Sequence, residues 1–350
     1  MAETGKNVFV AMSGGVDSSV AATELLENGY NVSGVFMLTC DQSHHAQSDA
    51  EKIAGSLGIK LHVLDMRGEF SKVLDYFCGQ YRQGRTPNPC VFCNRLIKFN
   101  KLLQFAKDNG AEYFATGHYA RINKTPDGFG LFQTPNNKDQ SYALAMLNRE
   151  ILPHLIFPVG EQTKQQTRQK AHELGLISAE RQESQEICFI PDDDYVAVLE
   201  KLAPELLREG NIIDSSGKIL GTHKGIHRFT IGQRRGLRVA MGKPWYVVHL
   251  DAKTNTVTLG PKEELMHKKL IAAGVNWLID PPGESFRAKI KIRYNHSGLS
   301  GTVHVRSGNI EVEFDEKISA ITPGQLAVFY TEHACGSRVA GGAWIERAFD

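Results

Sequence analysis

The sequence predicts an α/β protein in three parts. A doubly wound parallel sheet occupies residues 1–205, a small central α+β domain 206–263, and a β-barrel 264–350. Three observations predict this. Strand-like and helix-like segments alternate through the first half, the pattern of a parallel sheet with crossover helices. After about Asp194 the texture changes to Gly-rich stretches with short strands. From about Leu265 the chain is almost pure apolar/polar alternation, the mark of half-buried strands.

Each element has its own signal. Asn7–Met12 (NVFVAM) is an apolar strand run, followed by a Gly-rich turn and a helical pattern over Ser18–Asn28 that stops at Gly29. Tyr30–Thr39 is a second strand. Ser48 and Glu51 have capping-box spacing and predict a helix that opens there and ends at Gly58. Ile59–Asp65 is a third strand. Phe70, Val73, Leu74, Phe77 and Tyr81 recur at three and four residues, one apolar helix face. Thr86-Pro87-Asn88-Pro89 is a turn, because two prolines break any helix. Phe92–Lys107 is helical and Glu112–Thr116 is a strand. Further on, Trp245–His249 and Thr256–Leu259 are short strands. Phe286–Tyr294, Gly301–Val305, Ile310–Phe314 and Ala327–Tyr330 are strands for which a small barrel is the natural closure.

Composition narrows the function. Lys and Arg total 40 against 39 Asp and Glu, which argues against a polybasic binder while leaving a local basic face open. No basic leader with an apolar core opens the chain, and no apolar run approaches the roughly 20 residues of a membrane helix. Six cysteines spread over 350 residues are not a disulfide framework; in a reducing cytosol they point to reactive or metal-binding thiols. The expectation is a cytoplasmic monomer with no membrane partner.

The strongest motif is Ala11–Ser19, AMSGGVDSS, between a strand and a helix. Gly14 and Gly15 let the backbone approach a phosphate, and the helix behind them aims free N–H groups and its positive end at an anion. Ser13, Ser18 and Ser19 offer hydroxyl donors, and Asp17 is a candidate ligand for Mg²⁺ bound with ATP. The loop is not a Walker loop, and no lysine is present to hold the β and γ phosphates. The bland alternative is a ligand-free Gly-rich turn. SGGVDSS resembles the PP-loop of the ATP pyrophosphatase superfamily. That resemblance implies cleavage of ATP between its α and β phosphates and adenylation of a substrate. It makes Ala11, Met12, Ser13, Gly14, Gly15, Val16, Asp17 and Ser18 nucleotide contacts. It adds Met37 of GVFM at the adenine and Gly117 of ATGH; by itself Met37 reads as a core side chain.

Cys90 and Cys93 lie in TPNPCVFCN at the mouth of a helix beginning near Val91, where the positive helix end is expected to lower a thiol pKa. Cys188 lies far off in SQEICFI. Cys40, Cys78 and Cys335 have no comparable setting, and Cys78 reads as core. Sulfur transfer needs one thiol to carry a persulfide and a second to release the sulfur; distant cysteines brought together suit that chemistry. The bland reading of any one buried cysteine is a small hydrophobe.

The motifs SGGVDSS, GVFM, TPNPCVFCNRLIKF, ATGHYAR, KDQSYAL, SQEICFI, FTIGQRRGL, IRY and TPGQ run in the order of the MnmA family of tRNA 2-thiouridylases, and the chain resembles that family over almost its whole length. The resemblance implies adenylation of O2 of the wobble uridine in tRNAs for Lys, Glu and Gln, then displacement of AMP by sulfur. Cys188 matches the persulfide-bearing cysteine, and Cys93 the nucleophile or its disulfide partner. Asn88, Pro89 and Cys90 match the base-contacting segment. His118, Lys138, Asp139, Gln140, Arg293, Tyr294 and Gln325 match tRNA contacts. A sulfur donor protein, a cysteine desulfurase or sulfur relay, is the implied partner beside tRNA.

One departure stands out. Many members carry Asp where this chain has Cys90, and a thiol is a poor carboxylate substitute at neutral pH. The change makes a Cys-x-x-Cys pair with a distant third cysteine. Three thiolates from Cys90, Cys93 and Cys188 could hold a [4Fe–4S] cluster with one iron open; a redox dithiol or a partial zinc site are the other readings.

Two basic stretches could track phosphates: Arg228, Arg234, Arg235 and Arg238, and the strand face of Lys289, Lys291 and Arg293, with Phe229 and Tyr294 beside them for stacking. Such charges are more often a plain solvated face. Two other functions stay open: an amide-forming PP-loop ligase, for which no glutaminase module is seen, and a non-catalytic tRNA-binding factor.

Overall fold

The computed structural model describes all residues except 1–4, 41–42, 178–186, 191–193, 238, 240, 241 and 243. In chain order, the first part contains β1 (Asn7–Ala11), α1 (Val16–Glu27), β2 (Asn31–Leu38), α2 (His44–Ser56), β3 (Lys60–Asp65) and α3 (Arg67–Arg82). There follow α4 (Pro89–Cys93), a π-helical segment (Asn94–Leu102), α5 (Leu103–Asp108), β4 (Tyr113–Ala115), β5 (Arg121–Thr125), β6 (Gly128–Phe132) and α6 (Ser141–Leu144). Then come β7 (Leu155–Ile156), α7 (Lys164–Glu173) and α8 (Tyr195–Leu202).

Strands β3-β2-β1-β4-β7 form one parallel sheet in that order. The apolar run Val8–Ala11 of β1 has a direct cause. Val8 and Val10 enter one core with Phe36 and Val20, while Phe9 enters the opposite core with Val35 and Phe114. Alternate side chains point to opposite faces, and helices cover both, so every position of this run must be apolar. Each fully buried side chain of this size contributes about 1.5–3 kcal/mol.

Two local readings shift. Helix α2 starts at His44 after Ser43, so Ser48 and Glu51 lie inside it and make no capping box. The stretch read as one helix over Phe92–Lys107 is broken by the π-helical segment, with Phe99 at non-helical angles.

The central part holds β8 (Gly210–Asp214), β9 (Ile219–His223), β10 (Tyr246–Asp251) and β11 (Thr256–Gly260) in the order β10-β11-β8-β9. Phe229 is buried in its core beside Ile226, Val247 and Leu259. It is therefore not available to stack on a base, contrary to the sequence reading.

The last part is β12 (Met266–Trp277), β13 (Ser285–Lys291), β14 (Leu299–Arg306), β15 (Asn309–Ser319), β16 (Leu326–His333) and β17 (Gly336–Phe349). They run β12-β15-β14-β13-β16-β17, and β17 pairs back onto β12, closing a six-stranded barrel. The β5–β6 hairpin, which the sequence reading missed, continues this sheet from β17. Strand β16 is buried on both sides. Ala327 and Phe329 fill the barrel, whereas Leu326, Val328 and Tyr330 pack into the α/β core with Leu131 and Tyr142. The barrel is thus docked on the first part through an apolar interface.

Candidate active site

Strand β1 pairs with β2 on one side and β4 on the other, so the crossovers leave in opposite directions at their carboxyl ends. A parallel sheet opens a crevice at such a point. The loop after β1, the end of β2 and the loop after β4 meet there around a cavity of about 510 Å³. Its walls include Ser13, Asp17, Met37, Gly117, Lys98 and Cys188. Ala11, Met12, Ser18, His118 and Gln140 also face it.

The loop itself is tightly organised. Gly14 has φ 72, in the left-handed region that favours glycine, and Gly15 is the N-cap of α1. Ser18 Oγ accepts from Ser13 N at 3.2 Å and donates to the Gly15 carbonyl at 3.0 Å. Ser19 Oγ donates to the same carbonyl at 2.9 Å. Ser18 and Ser19 therefore direct their protons into the loop rather than outward, and Ser13 is the exposed hydroxyl. Val16 is buried behind them. Gly117 is there because of close approach: a Cβ would stand 2.7 Å from the Asp17 carbonyl carbon and 2.8 Å from Ser18 N.

The sequence reading found no lysine for this loop. The structure supplies one from elsewhere. Lys164 Nζ donates to Asp17 Oδ1 at 2.7 Å and Oδ2 at 2.8 Å, and Tyr119 Oη donates to Oδ1 at 2.7 Å. Lys164 opens α7, whose capping box joins Thr163 and Gln166. A cation in a first helical turn opposes the helix dipole, so Asp17 rather than the helix holds it there. The signal was the T-x-x-Q spacing at Thr163, which marks the helix start but not its neighbour across the fold. Asp17 is the one carboxylate lining the cavity among the described residues. A hard cation that takes one carboxylate plus phosphate oxygens fits this donor set.

The thiols gather at the other end. Asn88 caps α4 by accepting from Val91 N at 3.3 Å, with Pro89 in the first turn. Cys93 is buried beside Phe70, Val73 and Ile97, and Phe189 packs on the same cluster. Contrary to the expectation from the sequence, the helix end does not lower the thiol pKa values. Burial pushes Cys90 and Cys93 up to about 11, with the neighbouring thiols adding for Cys90, and Lys98 opposing both. Helix α4 has five residues, too few to offset desolvation.

Cys188 is surface-exposed, yet burial also raises its pKa. A thiol on a cleft wall has both properties: solvent reaches it while protein surrounds it. All three are free thiols, as is Cys40. Cys40 was read as lacking a comparable setting, but it lines the same cavity and its charge raises Cys188. Cys78 is core, as expected. Among the described residues, no group of three His, Cys, Asp or Glu side chains is placed to hold a metal ion. Cys90, Cys93 and Cys188, read as one possible iron–sulfur ligand set, are not gathered in ligand geometry.

The residues matched to tRNA contacts, and those of the two basic stretches, divide. Arg293 and Tyr294 are exposed, beyond the end of β13. Arg234 and Arg235 are exposed on the central part; Arg238 lies outside the described residues. Arg228 instead pairs with Glu200. Lys289 is exposed, but Lys291 is only 8% exposed and pairs with Asp139 at 3.6 Å, so the basic strand face loses its middle member. Asp139 turns inward and accepts from Gln133 Nε2 and Ser141 Oγ, both at 2.9 Å. Beside it, Lys138 N donates to Asn136 Oδ1 at 2.9 Å, and Gln140 Oε1 accepts from Tyr119 N at 3.0 Å. Gln325 Nε2 donates to the carbonyls of Thr86 at 2.9 Å and Pro87 at 3.2 Å, clamping the cysteine loop to the barrel. His118 accepts or donates at Nδ1 with Thr116 Oγ1, 2.6 Å away, and burial then Lys98 hold its pKa down at about 3.

Three family models cover nearly the whole chain: a tRNA methyl transferase HUP domain over residues 6–192, a tRNA methyl transferase PRC-barrel domain over 197–261, and an aminomethyltransferase β-barrel domain over 267–345. The tRNA-specific 2-thiouridylase MnmA of Syntrophotalea carbinolica is 46% identical, covering 99% of this chain and 100% of its own. That of Carboxydothermus hydrogenoformans is 44% identical over 98% of both chains, and that of Treponema denticola 45% identical over 97% of both. Fold and site define a PP-loop enzyme of the transferase class, with two β-domains appended to its nucleotide sheet. The chain belongs to the MnmA family of tRNA-specific 2-thiouridylases, which are sulfurtransferases. Among the described residues, no helix is long and apolar enough to cross a membrane.

Proposed function

We propose that the protein thiolates the wobble uridine of tRNAs for Lys, Glu and Gln in two half-reactions run in one cleft. The observation that carries this reading is that the PP-loop and Cys188 line the same cavity. An adenylated base needs no second site to meet its sulfur.

In the first half-reaction, ATP lies with its adenine between Met37 and Gly117 and its phosphates over Ser13, Gly14, Gly15 and the free N–H groups of α1. Asp17 would hold the Mg²⁺ that accompanies ATP, and the ion would supply charge neutralisation for the leaving pyrophosphate. Lys164 adds a fixed positive charge beside Asp17, and such preorganised charge is worth most where water is excluded. O2 of a flipped-out uridine attacks the α-phosphorus and pyrophosphate leaves. His118, neutral at physiological pH, orients by hydrogen bonding and donates no proton as an imidazolium.

In the second, sulfur displaces AMP at C2. Cys188 is the carrier, because it is the member of the trio that solvent, and hence a sulfur donor protein, can reach. Cys93, buried beside it, is the thiol that releases the sulfur. Cys90 shares that protected space. Residues 1–205 carry the chemistry, while 206–263 and 264–350 hold the RNA, with Arg234, Arg235, Arg293 and Tyr294 as solvent-facing groups suited to phosphates and bases.

The test is thiolation of unmodified tRNA by the purified protein with Mg·ATP and a persulfide donor. Thiouridine at the wobble position, dependent on ATP and lost in Cys188→Ser, is the expected result. ATP turnover that ignores tRNA, with no thiouridine, would sink the reading.

A further inference from the structure

Lys98 is a half-buried cation on the wall of the cleft, and among the described residues it has no hydrogen-bond or ion-pair partner. Holding an ammonium partly out of water without a counter-ion is costly. The cleft's carboxylate, Asp17, is already engaged by Lys164 and Tyr119. The anion that Lys98 faces therefore comes from the reaction, not from these side chains.

Its position says which anion. Burial dominates the environment of Cys90, Cys93 and Cys188, and Lys98 is the one cation whose charge opposes it at all three. The same charge reaches His118. Lys98 thus belongs to the sulfur end of the cleft. The backbone explains how it gets there. Lys98 lies in the π-helical segment Asn94–Leu102 that follows Cys93 directly. In an α-helix, positions 93 and 98 would diverge by about 140° around the axis. The wider i→i+5 turn brings them back toward one side, and such turns often mark functional sites. Phe99, at the irregular position, is buried in the core with Phe114 and Phe157.

We propose that Lys98 is a catalytic residue of the sulfur-transfer step, its ammonium pairing with the terminal sulfur anion of a persulfide on Cys188 and holding it against C2 of the adenylated uridine. The inference rests on the thiouridylation reading above. A donor of sulfane sulfur supplies the persulfide. The terminal sulfur forms a bond to C2, and the bond from C2 to the AMP oxygen breaks, AMP leaving with the electron pair. The Cys93 thiolate then attacks Cys188 Sγ. The sulfur–sulfur bond to the transferred atom breaks, its electron pair stays with the uridine sulfur, and a Cys93–Cys188 disulfide forms. The uridine regains at N3 the proton lost on adenylation, and an external dithiol reduces the disulfide.

The test compares wild type, Lys98→Met and Lys98→Arg as full chains with tRNA and Mg·ATP. Two rates are read: tRNA-dependent pyrophosphate release without a sulfur source, and single-turnover thiouridine formation after loading Cys188 with a small-molecule persulfide. Lys98→Met is expected to keep pyrophosphate release and lose thiouridine formation about 100-fold, with Lys98→Arg recovering most of it. Alkylation of Cys188 gives a readout outside turnover. The rate ratio of anionic iodoacetate to neutral iodoacetamide should fall about fivefold in Lys98→Met and return in Lys98→Arg. Unchanged thiouridine formation, an equal loss of pyrophosphate release, or an unchanged alkylation ratio overturns the proposal. If wild type itself forms no thiouridine, the thiouridylation reading falls instead, and the alkylation ratio still decides whether Lys98 attends the sulfur of Cys188.

Discussion

Lys164 Nζ contacts both carboxylate oxygens of Asp17, at 2.7 and 2.8 Å, and so ties the first turn of α1 to the first turn of α7. The pair sets the charge at the phosphate end of the cleft. Lys164→Met leaves a bare carboxylate facing incoming phosphates. It should lower tRNA-dependent pyrophosphate release by about 100-fold. Asp17→Asn keeps the cation but removes the carboxylate proposed to hold Mg²⁺, and should also slow the step. Because each variant strips the other's partner, the double variant should be better than the product of the two losses. Strict multiplicativity of the two effects would show that the residues act independently.

Gly117 makes a second, steric prediction. Its φ is unremarkable, but a Cβ would stand 2.7 Å from the Asp17 backbone, which cannot yield without moving the loop. Gly117→Ala should cost about 1–3 kcal/mol and weaken ATP binding. Gly15→Ala, whose Cβ would meet only Ser13 Oγ at 3.3 Å, is the milder control. Thermal unfolding with and without ATP checks both; an ATP-induced shift preserved in Gly117→Ala would contradict the packing argument.

These two residues show how far the sequence could be read. Gly117 was legible as a nucleotide-loop neighbour because a motif names it, although the reason, contact with Asp17, needs the fold. Lys164 was illegible: it lies 147 residues from Asp17, and no local pattern says which helix end will cross the sheet. Local signals gave the α/β alternation and most barrel strands. They missed the β5–β6 hairpin, whose partner β17 lies some 200 residues away. They also overrated the basic strand, since alternation cannot show that Lys291 is claimed by Asp139. The helix-mouth argument for reactive thiols failed for a related reason: desolvation depends on what packs over Cys90 and Cys93, and that is tertiary.

His118 predicts an acid sensitivity. Burial and then Lys98 lower its pKa from 6.5 to about 3, so below 6.5 the unfolded chain binds a proton that the folded chain refuses. Its contribution to stability is complete above the unfolded value and is lost as pH falls from 6.5 toward 3. The slope from this group approaches about 1.4 kcal/mol per pH unit. Between about pH 7 and pH 5 wild type should lose up to about 2 kcal/mol from this source, and His118→Asn should flatten the dependence. Urea unfolding at the two pH values measures the difference; parallel slopes would remove His118 from the account.

Gln325 makes the last prediction, which concerns how the barrel governs the thiols. Its amide holds the carbonyls of Thr86 and Pro87, and Thr86 N donates to Pro323 O at 2.9 Å, so the turn that launches α4 is fastened from the barrel side. Gln325→Ala strands two carbonyls in a half-buried place, at a cost of about 1–3 kcal/mol confined to this contact. The PP-loop is not touched by it. The variant should therefore keep its ATP-dependent thermal shift while amide exchange over residues 86–93 quickens and thiouridine formation drops about tenfold, because a near-attack geometry tolerates little displacement. Exchange rates unchanged over that turn would mean the cysteine loop is held by its own packing around Val91 and Cys93, and that the barrel serves the RNA alone.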